Sequence, residues 1–379
     1  MKRVVILIET SREFGRQLLR GIARYAKLKN SWSFYLEPRG LKSDVPKLAK
    51  WKAHGIIMRN SIISKELVNM KLPTIIVLHD PNRYRGLPAV ITENRSIAKL
   101  AAEHLLNRGL KNYAFCGLDE FIWSNERKQE FVDILKEAGF KTYIYDKPAT
   151  KEFGTWEKEQ MFMKSWLKKL PKPIGIFACN DDRGQHVLEA CKAANLKVPD
   201  DVAVIGVDND EIICSFCDPP LTSVALNLEY AGFASAELLD MLMNGEKMNS
   251  QEIRVSATHV VRRQSTDCLF VEDSNVANAI HFIRQNSKIK ICVSDVVKQT
   301  SLSRRALESR FQKKLHRSIL QEIRRARIEQ MSQLLIETDL SISEIISLFN
   351  FTDVEHVSRY FRKEKGMGLR EFRKLHRGC

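Results

Sequence analysis

Short apolar runs and longer amphipathic ones alternate along the first 262 residues. The runs VVILI (4–8), SFYLE (33–37), GIIM (55–58), TIIVL (74–78), YAFCG (113–117), TYIYD (142–146), IGIFA (174–178) and VAVIGV (202–207) predict strands. Between them apolar positions recur at helical spacing, as with Leu18, Leu19, Ile22, Ala23 and Ala26 in a helix over 14–27. Further helices are expected over 94–108, 125–138, 155–169 and 182–194. Strands that are apolar throughout and separated by helices belong to parallel sheets covered on both faces. At roughly 30 residues per strand–helix unit this stretch holds about eight units, enough for two doubly wound α/β lobes.

In such folds ligands lie beyond the carboxyl ends of the strands. Three polar clusters fall there: Thr10-Ser11-Arg12-Glu13-Phe14, Cys179-Asn180-Asp181-Asp182, and Asp208-Asn209-Asp210. Any one of them can simply cap the next helix, as Asn180 or Asp181 could for 184–194. All three together predict a cleft between facing lobes.

After Cys268 the pattern changes. VEDSNVAN (271–278) reads as a polar connector into a helix over 275–286, and only helical patterns follow. A short helix over 294–299 and a turn over 300–302 lead to Ser303, which is placed to cap a helix over 304–315. Leu307 and Phe311 face inward there, with Leu315 one turn on. The pattern repeats: a short helix over 343–349, a turn at Asn350-Phe351-Thr352, and Asp353 capping a helix to about Lys365. Val357 and Phe361 repeat the inward pair 50 residues later. These are two helix-turn-helix units in an all-α domain. The helix over 318–338 between them spans about 31 Å at 1.5 Å per residue. Successive major grooves on one face of DNA lie roughly 34 Å apart. The outward residues Ser303, Arg304, Arg305, Glu308, Ser309 and Gln312 of the first unit are candidate DNA contacts, with Glu355, His356, Ser358, Arg359 and Arg362 of the second. Arg324, Arg325 and Arg327 on the intervening helix suit phosphate contacts or packing.

Charge supports that division. The 379 residues carry +15, and residues 276–379 hold 21 Lys+Arg against 11 Asp+Glu. Two thirds of the excess therefore sits on about a quarter of the chain, as in a nucleic-acid-binding module joined to a nearly balanced one. No apolar run approaches the roughly 18–20 residues of a membrane span. Glu9 and Arg12 interrupt the N-terminal run, so no signal peptide is expected. The eight cysteines lack framework spacing, and a reduced, cytoplasmic compartment is expected. Cys214 and Cys217 form a CxxC without a second pair, which is too little for a zinc site. There is no GxxxxGK[ST], HExxH or GxSxG, so neither enzyme activity nor a cofactor is expected.

The segment 174–245, with Asn180-Asp181-Asp182, Val198-Pro199-Asp200-Asp201-Val202, Gly206-Val207-Asp208-Asn209 and Pro220-Leu221-Thr222-Ser223-Val224, resembles the effector-binding domain of LacI/GalR-type repressors. The segment 93–117 is similar to the part of that family leading into its second lobe. The resemblance implies a two-lobed, periplasmic-binding-protein-like domain over 1–268. Lobe one would take about 1–116 and 225–250, lobe two about 117–224, with crossings near Gly117, Val224 and Ile253. It also implies ligand roles for Phe14, Arg127, Asp181 and Asp208, to which Arg12, Trp123 and Asn180 are added as candidates. Carboxylates and guanidinium forks suit sugar hydroxyls, and aromatic rings suit a sugar's C–H faces. Trp123 fits either stacking or packing. Arg127 lies near a helix N-terminus, where the dipole disfavours a purely structural arginine.

Residues 275–379 resemble the AraC/XylS DNA-binding domain, most strongly over 342–373, where Ile345, Phe351, Val357, Phe361, Gly366 and Phe372-Arg373 stand at signature positions. Residues 269–274 would be the linker. Asn350 replaces a usual glycine but tolerates positive φ. Leu369 replaces a proline that is favoured yet dispensable at a helix start, and His316 replaces a glycine. The order of the two domains, with VVRRQSTDCL (260–269) and NDEIICSF (209–216), resembles bacterial xylose operon regulators of the XylR type. That resemblance implies a sugar-responsive transcription factor, an activator, binding double-stranded promoter DNA as a homodimer and engaging RNA polymerase. Xylose itself rests on the resemblance, and the first cluster leaves another monosaccharide open. A regulator sensing a non-sugar molecule and a sugar-binding protein with a non-specific basic tail are the alternatives.

Overall fold

The computed structural model describes residues 1–29, 32–36, 51–59, 71–77, 87–146, 156–246, 252–268, 273–315, 317–350 and 354–377. The chain divides into two compact units: Met1–Asn107 with Lys111–Asp267, and the chain from Cys268 onward with Arg108–Leu110.

In the first unit the apolar runs form two six-stranded sheets. Strands β1 (Lys2–Leu7), β2 (Trp32–Leu36), β3 (Gly55–Arg59), β4 (Thr74–Val77), β5 (Ala89–Thr92) and β11 (Glu252–Val255) are ordered β11-β5-β4-β3-β1-β2, parallel throughout. Strands β6 (Tyr113–Cys116), β7 (Thr142–Ile144), β8 (Ile174–Ala178), β9 (Val202–Val207), β10 (Thr222–Leu226) and β12 (Ala257–Val261) are ordered β12-β10-β9-β8-β6-β7. Only β12 runs antiparallel there, against β10. The eight strand signals all correspond to strands; β5, β10, β11 and β12 gave no apolar run of their own.

Helices α1 (Glu13–Lys29), α2 (Asn94–Leu106), α3 (Ile122–Glu137), α4 (Trp156–Lys169), α5 (Asp181–Ala194), α6 (Glu211–Phe216) and α7 (Leu228–Met243) cover the sheets. α1 and α7 meet at backbone distance. A Cβ on Gly21 would lie 2.0 Å from the Glu229 carbonyl oxygen, and one on Gly232 would lie 2.1 Å from that of Leu18.

The chain passes between the lobes at Glu93, Asn227 and Ser256. The second and third crossings fall three residues beyond the expected Val224 and Ile253. The first is displaced from Gly117: α2 packs on α3 and on β8, β9, β10 and β12, burying Ile97, Ala98, Ala101, Ala102 and Leu105, so lobe two begins before α2. The three crossings are bonded to one another. Ser256 Oγ donates to Glu93 Oε2 at 2.7 Å, the Ser256 N–H to Asn227 Oδ1 at 2.8 Å, and the Glu93 N–H to the Val255 carbonyl at 2.8 Å.

The second unit holds α8 (Ser274–Gln285), α9 (Val293–Val297), α10 (Arg304–Leu315), α11 (Ile319–Glu337), α12 (Ile342–Leu348), α13 (Val354–Lys365) and α14 (Leu369–Arg377). Its apolar side chains form two cores. One gathers Val276, Ile280, Val296, Leu307 and Phe311, and the other Ile345, Phe349, Val357, Phe361, Leu369 and Phe372. α11 serves both, giving Ile319 and Ile323 to the first and Ile328, Met331 and Leu335 to the second. Its start is a capping box: Ser318 Oγ accepts the Gln321 N–H at 3.2 Å, and Gln321 Oε1 accepts the Ser318 N–H at 2.7 Å. The 19 residues of α11 make it about 28 Å long, slightly shorter than expected. Asn350 has φ 51°, the left-handed conformation that asparagine accepts in place of glycine. Linker residues 269–272, the expected cap Asp353, the turn residues Phe351 and Thr352, and His316 lie outside the described residues. Among the described residues no helix is long and apolar enough to cross a membrane.

Candidate functional site

In lobe one Glu9 follows β1 by two residues, Arg59 closes β3, and α1 carries Phe14 buried in its first turn. The Arg59 guanidinium lies over the Phe14 ring, 4.7 Å from its centre, and is held by Glu9 Oε1 at 2.7 Å. Neither Glu9 nor Arg59 was among the expected ligand residues, although Arg59, with Asn60 and Ser61, directly follows the apolar run 55–58.

From lobe two come Arg127 on α3 and Asp208 after β9. Arg127 is 2% exposed. Its Nε donates to Asn94 Oδ1 at 3.2 Å, its Nη1 to the Cys179 carbonyl, and its guanidinium lies 5.2 Å from the centre of the Trp123 ring. Trp123 stacks in turn on Phe121. Burial lowers the Arg127 pKa, opposed chiefly by Asp208. Burial pushes the Asp208 carboxyl up to about 6 against the pull of Arg127 and Arg59. Arg59 with Phe14 in lobe one and Arg127 with Trp123 in lobe two are thus two cation–aromatic pairs, and the Asp208 carboxyl feels the charge of both guanidiniums.

The other candidates are engaged elsewhere. Arg12, expected to meet ligand, pairs across the lobes with Asp182 through two contacts of 2.8 Å. Asn180 caps α5, its Oδ1 accepting the Arg183 N–H at 2.9 Å. Asp181 accepts from Ser223 Oγ at 2.6 Å and from the Asp210 N–H at 2.7 Å, so both its oxygens serve lobe two itself. Burial and the neighbouring Asp208 raise its pKa well above the usual carboxylate range. In all three a polar residue at a strand end satisfies the backbone and the charges beside it.

In the second unit Arg304, Arg305, Ser309 and Gln312 of α10 are exposed, as are Arg359 and Arg362 of α13, while Ser358 is half-buried. Ser303 caps α10, accepting the Ala306 N–H at 3.3 Å. Glu308 Oε2 accepts the Ile319 N–H at 3.2 Å and so holds the start of α11. The side chains of Glu355 and His356 lie outside the described residues. Of the arginines on α11, Arg324 lies 5.3 Å from the centre of the Tyr360 ring, and Arg327 donates to the Phe349 carbonyl at the end of α12. Both pack within the unit.

A two-lobed ligand sensor joined to a paired helix-turn-helix reader defines a ligand-responsive, DNA-binding transcriptional regulator. Three family models match: XylR N-terminal domain over residues 3–95, periplasmic binding protein-like domain over 102–266, and helix-turn-helix domain over 296–375. The chain is 30% identical over 380 residues to the xylose operon regulatory protein of Haemophilus influenzae, covering 98% of both chains. It is 29% identical to that of Escherichia coli K12, covering 98% of this chain and 96% of the relative. The solved structure of the xylose-binding transcription activator xylR matches with TM-score 0.63 and 28% identity, over 99% of this chain and 98% of that one. The chain belongs to the xylose operon regulatory protein family, and it is a sugar-responsive DNA-binding transcriptional regulator.

Proposed function

We propose that this chain is a cytoplasmic activator of genes for the catabolism of xylose or a closely related monosaccharide, acting by binding rather than by catalysis. The observation that carries this reading is the set of Phe14 and Arg59 from one lobe opposite Asp208, Arg127 and Trp123 from the other. Sugar hydroxyls donate to the Asp208 carboxylate and accept from the two guanidiniums, and the C–H face of the ring lies on an aromatic side chain. Because the set draws on both lobes, sugar binds the closed arrangement better than an open one, which is what a ligand must do to shift it.

The reader places α10 and α13 in successive major grooves. Arg305 and Arg359 reach base edges there, with guanine as the natural partner of arginine. A homodimer bound in this way presents the sugar-closed sensor to RNA polymerase. A thermal-shift screen of the purified chain against pentoses and hexoses tests the reading. D-xylose at 100 times its Kd adds about 2.7 kcal/mol to sensor stability. No shift from any monosaccharide would refute it.

A further inference from the structure

Asp210 is 3% exposed, yet it bonds to both lobes. Its Oδ1 accepts the Ile213 N–H at 3.4 Å and caps α6 of lobe two. Its Oδ2 accepts the Glu13 N–H at 2.8 Å, in the first turn of α1 in lobe one, and meets Arg16 Nη2 at 3.1 Å. One carboxylate therefore satisfies N-terminal amides of two helices on opposite sides of the cleft. Its position is fixed from behind. Asp181 Oδ2 holds the Asp210 N–H at 2.7 Å, and Ser223 holds Asp181. Gly206 leaves the room, since a Cβ there would lie 2.3 Å from Asp181 Oδ1. The charges nearby are matched, as Glu13 is held by Arg16 at 2.8 Å and Arg20 at 2.6 Å.

Separating the lobes strips Asp210 of two donors and leaves the Glu13 amide without its acceptor, whereas closing them restores all three groups at once. We propose that Asp210, positioned by Asp181, is the clasp of the sensor: lobe two grips the start of α1 through it, and it sets sugar affinity without touching the sugar. It is a positioning residue. The clasp itself needs no ligand, and only its effect on affinity rests on the sugar reading.

Hydrogen–deuterium exchange on the full chain separates the two. Asp210→Asn keeps an N-cap for α6 and removes the charge, while Arg16→Ala removes the grip from the other lobe and leaves α6 untouched. Without sugar, exchange in peptides covering 9–18 rises about tenfold or more in both variants, while 211–217 stays protected in Arg16→Ala. Calorimetry then shows D-xylose binding weakened about tenfold or more. Unchanged exchange over 9–18 in both variants overturns the clasp. So does faster exchange with sugar affinity unaltered. If D-xylose fails to bind even the wild-type chain while both variants lose protection, the clasp stands and the sugar reading falls.

Discussion

In the sensor, Arg127, Asp181, Arg183 and Asp210 are buried, and each holds another group in place. In the reader, Arg304, Arg305, Arg359 and Arg362 are exposed, and the apolar residues beneath them make the frame. The contrast follows from what each part must meet. A small neutral ligand is recognised by desolvated groups whose geometry is set in advance, so the sensor's charges need protein partners before any ligand arrives. DNA brings its own dense charge and a solvated surface, so a DNA reader can keep its surface arginines in water. Substitutions in the sensor therefore propagate through shared bonds, and those on the reader's surface act where they stand.

The reader's frame carries the largest expected effect. Phe361→Ala empties part of the second core and costs about 3–5 kcal/mol. Calorimetry of the full chain should show the reader's transition lowered and the sensor's unmoved. A shift in the sensor transition would show that the two units do not unfold independently.

Asp208 comes next. Asp208→Ala removes charge-assisted hydrogen bonds of about 1.5–3 kcal/mol from sugar binding while the chain keeps its DNA affinity. The same carboxyl gives a pH signature. Its value of about 6 in the fold stands above its ordinary 3.8, so its contribution to stability is full below about 3.8 and is lost as pH rises through about 6. Sugar hydroxyls favour the ionised form, so sugar affinity rises from pH 5 to pH 7. Asp208→Asn flattens both slopes, which melting curves and calorimetric titrations across that range will read.

On the reader surface, Arg305→Ala and Arg359→Ala each cost about 1–3 kcal/mol on the cognate site and relax one base pair of preference. Selection from randomised DNA checks the latter, and an intact preference in both variants contradicts the docking. The smallest effect is at Glu308. Glu308→Ala removes the bond to the Ile319 amide and lowers reader stability by about 1 kcal/mol, with base preference unchanged. Altered preference there would make Glu308 a base-reading residue as well.

The elements were legible wherever burial was purely apolar. β10 escaped because it is buried with polar residues: Thr222 and Ser223 lie in the core with their hydroxyls bonded to the Arg263 carbonyl and to Asp181. β11 and β12 escaped as edge strands, half solvated, whose sequences EIRV and ATHVV mix charged or polar residues with apolar ones. At the cleft, strand-end position predicted which residues face one another across the lobes. It did not predict that Arg12 and Asp182 would pair, or that Asp181 would hold Asp210, because such pairing depends on distances between elements far apart in sequence. Arg59, with Asn60 and Ser61 after it, stood at the carboxyl end of an expected strand, but position alone does not separate it from a solvated strand end.

Coupling between sugar and DNA binding can be read in one titration. A labelled DNA site selected by the full-length chain is titrated with that chain in the absence and presence of saturating D-xylose, with Asp208→Ala alongside. D-xylose should tighten binding to the selected site and leave binding to random DNA unchanged, and Asp208→Ala should need about tenfold or more sugar for the same tightening. Identical binding curves with and without D-xylose for the wild-type chain would contradict that coupling.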